Sequence, residues 1–296
     1  MQAARMVIKR TLVSFYDDQM THHAAALTYY SLMSLFPATL LALSLLGLLG
    51  EYPRTYNAII DYLRDVVPSS ALAPLDSSLR EALQHKGTAL TALVASVALT
   101  LYGTTGVLEA ARRALNVVFE LDGGGRSFLR RKGVDIGFTF VLMGLVLASM
   151  IMVFIGGQFA SDLFGFIGLG PTATTVWSVV RWPGALAVTT LIFALIYYVT
   201  PDVKQRAFRW LTPGALAGVL VWLVASLGLS AYISNVANVA ALYGAFAGAI
   251  VLVGWLWLTN VALLFGAELD AELERQKELA EGVPERETLN LKAKAG

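Results

Sequence analysis

Residues 210–267 read WLTPGALAGVLVWLVASLGLSAYISNVANVAALYGAFAGAIVLVGWLWLTNVALLFGA, 58 positions without one Asp, Glu, Lys, Arg or His. As a single helix rising about 1.5 Å per residue, the run would be roughly 87 Å long, almost three times a hydrocarbon core of about 30 Å. It has to turn back on itself. The place for the turn is its polar cluster, Ser230, Tyr232, Ser234, Asn235 and Asn238, followed by Tyr243 and Gly244. There, small polar side chains compete with helical backbone hydrogen bonds. The run thus predicts a transmembrane hairpin. Lys204, Arg206 and Arg209 precede it, and Glu268, Asp270, Glu272 and Glu274 follow it, so both of its ends meet water on the same side.

The whole chain agrees with this reading. Charged residues make up 15% and hydrophobic residues 56%, with a mean hydropathy of +0.64, against about 25% charged residues in soluble domains. A net charge of +1 offers no basic face to neutralise phosphates, so no nucleic-acid partner is expected. The absence of cysteine excludes disulfides and thiolate metal sites. The first apolar segment, 24–50, far exceeds the 7–15-residue apolar region of a signal peptide and is expected to remain as a first span.

Charge-free apolar runs of about 20 residues mark further spans at 24–50, 88–108, 136–160 and 182–200. With the two arms of the hairpin they make six. Lys and Arg divide unequally between the two faces. Three lie in the N-terminal arm, six in the second connection, three in the fourth and five in the tail, seventeen in all, against five on the opposite side. The positive-inside rule then places both termini in the cytoplasm. The expected fold is an all-α, polytopic membrane helix bundle with six transmembrane helices and short interfacial amphipathic helices. Its parts would be a cytoplasmic interfacial helix over 1–23, a six-span domain over 24–268 with an external loop 51–87 and a cytoplasmic loop 109–135, and a charged cytoplasmic helix and tail over 269–296.

Several water-facing stretches carry helical periodicity. Met6, Ile8, Leu12, Val13, Phe15 and Tyr16 are interleaved with Arg5, Lys9 and Arg10, a pattern suited to anionic headgroups. Leu108, Ala111, Leu115, Val118 and Phe119 recur beside Arg112 and Arg113, so the second span is expected to run on as an amphipathic helix as far as the glycines at 123–125. Residues 268–281 read as an extension of the last helix, because carboxylates crowded at a helix C-terminus would oppose its dipole.

Candidates for chemistry are few. His22 and His23 lie at the start of the first span and His85 on the opposite face, so the three cannot ligate one metal. No G-x-S-x-G, P-loop or H-E-x-x-H motif occurs. No catalytic residue, metal or cofactor is expected, and the chain reads as a non-enzyme. Glu109, Asp135 and Glu268 sit at span ends, where each reads either as a water-reaching charge or as part of a proton or cation pathway. The small-residue pairs Gly214 with Gly218, Gly244 with Gly248 and Gly47 with Gly50 leave flat helix faces, for packing within the chain or in a homo-oligomer. Pro37 falls inside the first span and removes a backbone hydrogen bond there, so it either lines a cavity or fits a neighbour. Tyr232, Asn235, Asn238, Tyr243 and Gly244 read as a structural turn or as a polar site. Asn260 reads as interhelical glue or as a site residue.

Ordered motifs add a resemblance. Pro213-Gly214-Ala215, then Tyr232, Ala241-Leu242-Tyr243-Gly244-Ala245, Trp255-Leu256-Trp257 and Leu264-Phe265-Gly266-Ala267-Glu268-Leu269 are similar to the C-terminal signature of the YihY/BrkB family of bacterial inner-membrane proteins. The N-terminal counterpart is Ala24-Ala25-Ala26-Leu27-Thr28-Tyr29-Tyr30-Ser31-Leu32 with Ser34-Leu35-Phe36-Pro37, followed by Ala114-Leu115-Asn116. The resemblance spans 15–275. The chain departs from it at Ala241 and Leu242, where the family often has more polar residues. It implies a membrane fold and topology more than an activity. The family has carried the label ribonuclease BN and has been associated with serum resistance, virulence and the handling of envelope lipids or lipopolysaccharide precursors. The chain has no clustered metal ligands or acid/base pair for phosphodiester cleavage. The expected function is a transporter or export factor for a lipid-like or envelope-related solute, with membrane lipids as partners; the alternative is a non-transporting scaffold or assembly protein. Tyr29, Tyr30, Pro37, Asn116, Tyr232, Asn235, Asn238, Tyr243, Gly244, Asn260 and Glu268 are the substrate-pathway candidates.

Overall fold

The computed structural model describes residues 2–49, 86–121, 126–154, 171–204, 212–235, 246–281 and 292–293, with further positions within 53–84 and at 164–165. Seven helices longer than two turns occur among the described residues: α1 (Gln2–Asp17), α2 (Met20–Leu49), α3 (Lys86–Val118), α4 (Phe128–Phe154), α5 (Pro171–Val199), α6 (Pro213–Asn235) and α7 (Ala247–Ala280). Two two-residue strands, β1 (Val203–Lys204) and β2 (Lys292–Ala293), pair antiparallel, with Val203 opposite Ala293 and Lys204 opposite Lys292. Helices α2 to α7 each contain a stretch long and apolar enough to cross a membrane.

The six expected spans are therefore all present, but their limits differ. α4 begins at Phe128 and α5 at Pro171, so Arg130, Arg131, Lys132, Asp135 and Arg181 are helical instead of lying in connections. Charges at a helix end can be held by neighbouring helices or reach water, so they need not terminate it. The second span does continue as one helix, to Val118, and the chain leaves it at Glu120 with φ 52°, before the glycines at 123–125, which are outside the described residues.

The chain divides into two compact units. The first comprises Met1–Thr28 and Leu108–Gly296, and the second Tyr29–Val107. In the first, α6 packs on α7, α4 on α5, α5 on α6, and α1 along α7. α1 buries Val7 and Thr11 and leaves Met6, Ile8, Leu12 and Val13 exposed. Phe15 meets Phe265 edge-on at 6.2 Å, and Arg10 lies 3.6 Å from Glu272. In the second unit, Tyr56, Ile60 and Leu79 form a small apolar cluster with Leu43. Arg80 donates to the Tyr56 hydroxyl at 2.8 Å and lies over its ring, and that hydroxyl also bonds Asp76.

The uncharged hairpin is held by backbone contact. Gly214 and Gly218 on α6 face Gly266 on α7 so closely that a Cβ on Gly266 would stand 2.5 Å from both the Gly214 carbonyl oxygen and the Tyr197 hydroxyl. That hydroxyl donates to the Leu263 carbonyl at 2.6 Å, tying α5 into the same contact. The N-terminus of α6 has two caps. The Ala215 N–H donates to Thr212 Oγ1 at 3.0 Å, with Pro213 at the position where a missing N–H costs nothing, and the Gly214 N–H donates to Asp270 Oδ1 of α7 at 2.8 Å. Further along, Trp222 Nε1 donates to Thr259 and Trp255 Nε1 to Ser226, each indole reaching the other helix. Gly248 has nothing within 4 Å of a built Cβ, so of these glycines it is Gly214 and Gly218 that make the seam. The outward faces remain apolar, as at Leu147 of α4 and Val224 and Leu227 of α6, which suits hydrocarbon and not water.

Candidate functional site

The charged side chains buried in the first unit gather at one end of its helices: the start of α2, the end of α3, the start of α4, the end of α5 and the charged half of α7. There they form two centres.

The first surrounds the C-terminus of α5. Arg112 of α3 bonds Asp135 of α4 through Nη2 and donates Nε–H to the Thr200 carbonyl at 3.2 Å. Arg126, just before α4, donates Nη2–H to the Val199 carbonyl at 2.8 Å and the Pro201 carbonyl at 3.5 Å. Asp202 lies 3.9 Å from the Nε of both arginines and 3.4 Å from Arg131 Nη2. Its backbone N–H donates to Asn116 Oδ1 at 2.9 Å. Arg112, Arg126, Asp135 and Asp202 are all buried, Asp202 completely. Three guanidiniums meet two carboxylates, and the unbalanced positive charge faces the carbonyls that end α5, where the helix dipole is negative. Burial pulls the Arg126 pKa down, and Asp202 beside it pushes the other way; an arginine nevertheless stays charged. The arrangement ties three spans together at a helix end, and both carboxylates are held by guanidiniums.

The second centre lies where the α1–α2 corner meets α7. The Asp18 and Glu268 carboxyl groups stand within hydrogen-bond reach of each other. Glu268 is 3% exposed, and its Oε1 has no hydrogen-bond partner. Asp18 is half-buried, in a corner where Gln19 adopts a left-handed backbone with φ 54°. Burial, the largest influence, raises the Asp18 pKa, Asp17 raises it further, and the bond to Glu268 opposes both. Close by, Arg275 bonds Glu120 and lies 3.6 Å from Glu272, which Arg10 also approaches.

The residues singled out in the sequence fall in several places. Asn116 belongs to the first centre and Glu268 to the second. Asn260 donates to Thr28 Oγ1 at 3.1 Å, while Thr28 donates to the Ala24 carbonyl, which joins α7 to the start of α2. Tyr29 and Tyr30, in the second unit, stack edge-on at 5.4 Å and are both exposed. Pro37 lies within α2. Tyr232 is exposed on α6, and Asn235 ends that helix. Asn238, Tyr243 and Gly244 lie outside the described residues. Sequence reading missed Arg112, Arg126, Asp202, Asp18 and Tyr197 as organising residues. The available signal was opposite charges at successive span ends on one side of the membrane. Among the described residues, no group of three or more His, Asp or Glu is placed to hold a metal ion.

Six spanning helices with apolar outer faces and charges gathered at their ends define a multi-pass membrane protein. A family model described as "Virulence factor BrkB" matches residues 11–290, and the chain belongs to that family. It is 28% identical over 264 residues to a ribonuclease-like protein, YfkH, of Bacillus subtilis, covering 88% of this chain and 92% of that one. It is 26% identical over 263 residues to UPF0761 membrane proteins of Xanthomonas oryzae and Xanthomonas campestris. Those alignments cover 88% of this chain and 58% of the relatives' length. No solved structure matches the chain.

Proposed function

We propose that this chain moves, or helps to move, a lipid-like or envelope-related solute across a bacterial inner membrane, with both termini in the cytoplasm and without a catalytic centre of its own. The observation that carries the reading is the presence of a proline inside two spanning helices, Pro37 in α2 and Pro183 in α5. Each proline removes a backbone hydrogen bond, and freed backbone groups within a membrane are tolerated where neighbouring helices or a polar cavity satisfy them. Both helices run unbroken through their prolines, and a proline within an apolar span in each half of a chain is a pointer to a transporter binding site. The paired state of Asp135 and Asp202 argues against acid–base hydrolysis at the first centre. With no ATP-binding motif in the sequence, the driving force is an ion gradient or a partner protein.

The decisive experiment reconstitutes the purified chain into vesicles and follows labelled phospholipid, glycolipid and cation probes under imposed proton and sodium gradients. Movement of a probe above empty vesicles, lost on Pro37→Ala, is the expected result. No movement of any probe under any gradient overturns the reading. A second reading, a non-transporting scaffold, is favoured by the pairing of β2 in the tail with β1 after α5. It predicts that deleting 276–296 abolishes the cellular phenotype and leaves a folded protein.

A further inference from the structure

The corner between α1 and α2 meets α7 through two acids, although two arginines lie nearby. Arg10 and Arg275 are engaged with Glu272 and Glu120, and neither is bonded to Glu268. A hydrogen bond between two carboxyl groups exists only with a proton between them, because two carboxylates are both pure acceptors. Glu268 adds an independent reason. It is 3% exposed with Oε1 unpartnered, and an ionised carboxylate there would leave a desolvated oxygen without a donor. Asp18 is half-buried and so links the pair to water.

We propose that Asp18 and Glu268 form a binding site for one proton, exchanged with water through Asp18, and that emptying it releases the α1–α2 corner from α7. With the proton present, the pair carries one negative charge and one hydrogen bond. When the proton leaves to water, two negative charges remain in contact. The groups facing them are mostly acidic: Asp17 beside Asp18, Glu120 at the end of α3, and Glu272 on the next turn of α7. His23 on α2 and Arg275 on α7 also face Asp18, and the permanently charged Arg275 guanidinium favours the remaining charge on Asp18 and the proton on Glu268. Like charges at such a distance and depth are strongly repulsive. The repulsion acts at the junction of α1 and α2, where Gln19 makes a left-handed turn. This inference does not depend on the protein having a transported solute.

The test uses the full chain in lipid nanodiscs and two readouts. Infrared spectroscopy follows the carbonyl stretch of a neutral carboxylic acid, identified by its shift in heavy water. Hydrogen exchange follows residues 16–23, corrected for the intrinsic pH dependence of exchange. The wild type is expected to show the carboxylic band at neutral pH, to lose it on alkalinisation, and to exchange faster at the corner over the same pH range. Glu268→Gln should lack the band and show no such pH-linked step. Asp18→Asn, which removes the neighbouring charge, should keep the band and move its midpoint down by about one pH unit or more. A wild type without the band at neutral pH, a band that survives Glu268→Gln, or a midpoint unchanged by Asp18→Asn overturns the proposal.

Discussion

Gly266→Ala tests the packing that makes the uncharged hairpin. The added Cβ would lie 2.5 Å from the Gly214 carbonyl oxygen, 2.5 Å from the Tyr197 hydroxyl and 3.1 Å from the Gly218 Cα. Two of these three neighbours are backbone, so no side-chain rotation relieves the clash and α6 must move away from α7. Overpacking of this kind costs about 1–3 kcal/mol. Separation also weakens the bond from Tyr197 to Leu263, about 0.5–1.5 kcal/mol, and the cap that Asp270 gives the Gly214 N–H, about 0.5–2 kcal/mol. Alanine's better helix propensity returns about 1 kcal/mol, leaving a net loss of about 3 kcal/mol. The assay is reversible unfolding in mixed micelles titrated with a denaturing detergent, read by circular dichroism and tryptophan fluorescence. Gly254→Ala on the same helix, where nothing lies within 4 Å of the new Cβ, serves as control and should equal or exceed the wild type. If Gly266→Ala proves as stable as Gly254→Ala, the close approach of α6 and α7 is wrong.

Two further perturbations address the charged centres. Arg112→Leu strips Asp135 of its bonded guanidinium and should destabilise the protein by about 3–5 kcal/mol, the usual cost of orphaning one member of a buried pair; Arg112→Leu with Asp135→Leu should recover most of the loss in the same assay, and a double variant no better than the single one would remove the pair from the account. Asp18 has its pKa raised, chiefly by burial, so its charged form is disfavoured in the folded state: its contribution is complete below the ordinary aspartate pKa of 3.8 and is lost as pH rises through the raised value. Asp18→Asn should therefore flatten the fall in melting temperature above that pH, and parallel pH profiles for variant and wild type would contradict the assignment.

Legibility in the sequence followed the range of the interaction concerned. Spans were legible because the cost of placing a charge in hydrocarbon is paid residue by residue, so 210–267 declares itself without reference to any other segment. Helix limits were less so: Asp135 looks like the end of a connection until Arg112, 23 positions earlier, is brought to it. Glu268 was visible as a span-end carboxylate expected to reach water or serve an ion pathway, but its burial and its neighbour Asp18 were not, since nothing in the N-terminal arm signals that the α1–α2 corner docks on α7. Among the glycine pairs, spacing alone did not distinguish Gly214 and Gly218, which meet Gly266, from Gly248, which meets nothing within 4 Å.

The sequence by itself determined that this is a six-span membrane protein with a terminal uncharged hairpin, because apolar length and charge exclusion are local properties of the chain. Only the tertiary structure decided that three arginines close the end of α5 and that two acids meet where the α1–α2 corner reaches α7. Those are contacts between segments up to 250 residues apart, as Asp18 and Glu268 are. Their energetics depend on which charges are buried together, a fact that no stretch of sequence contains.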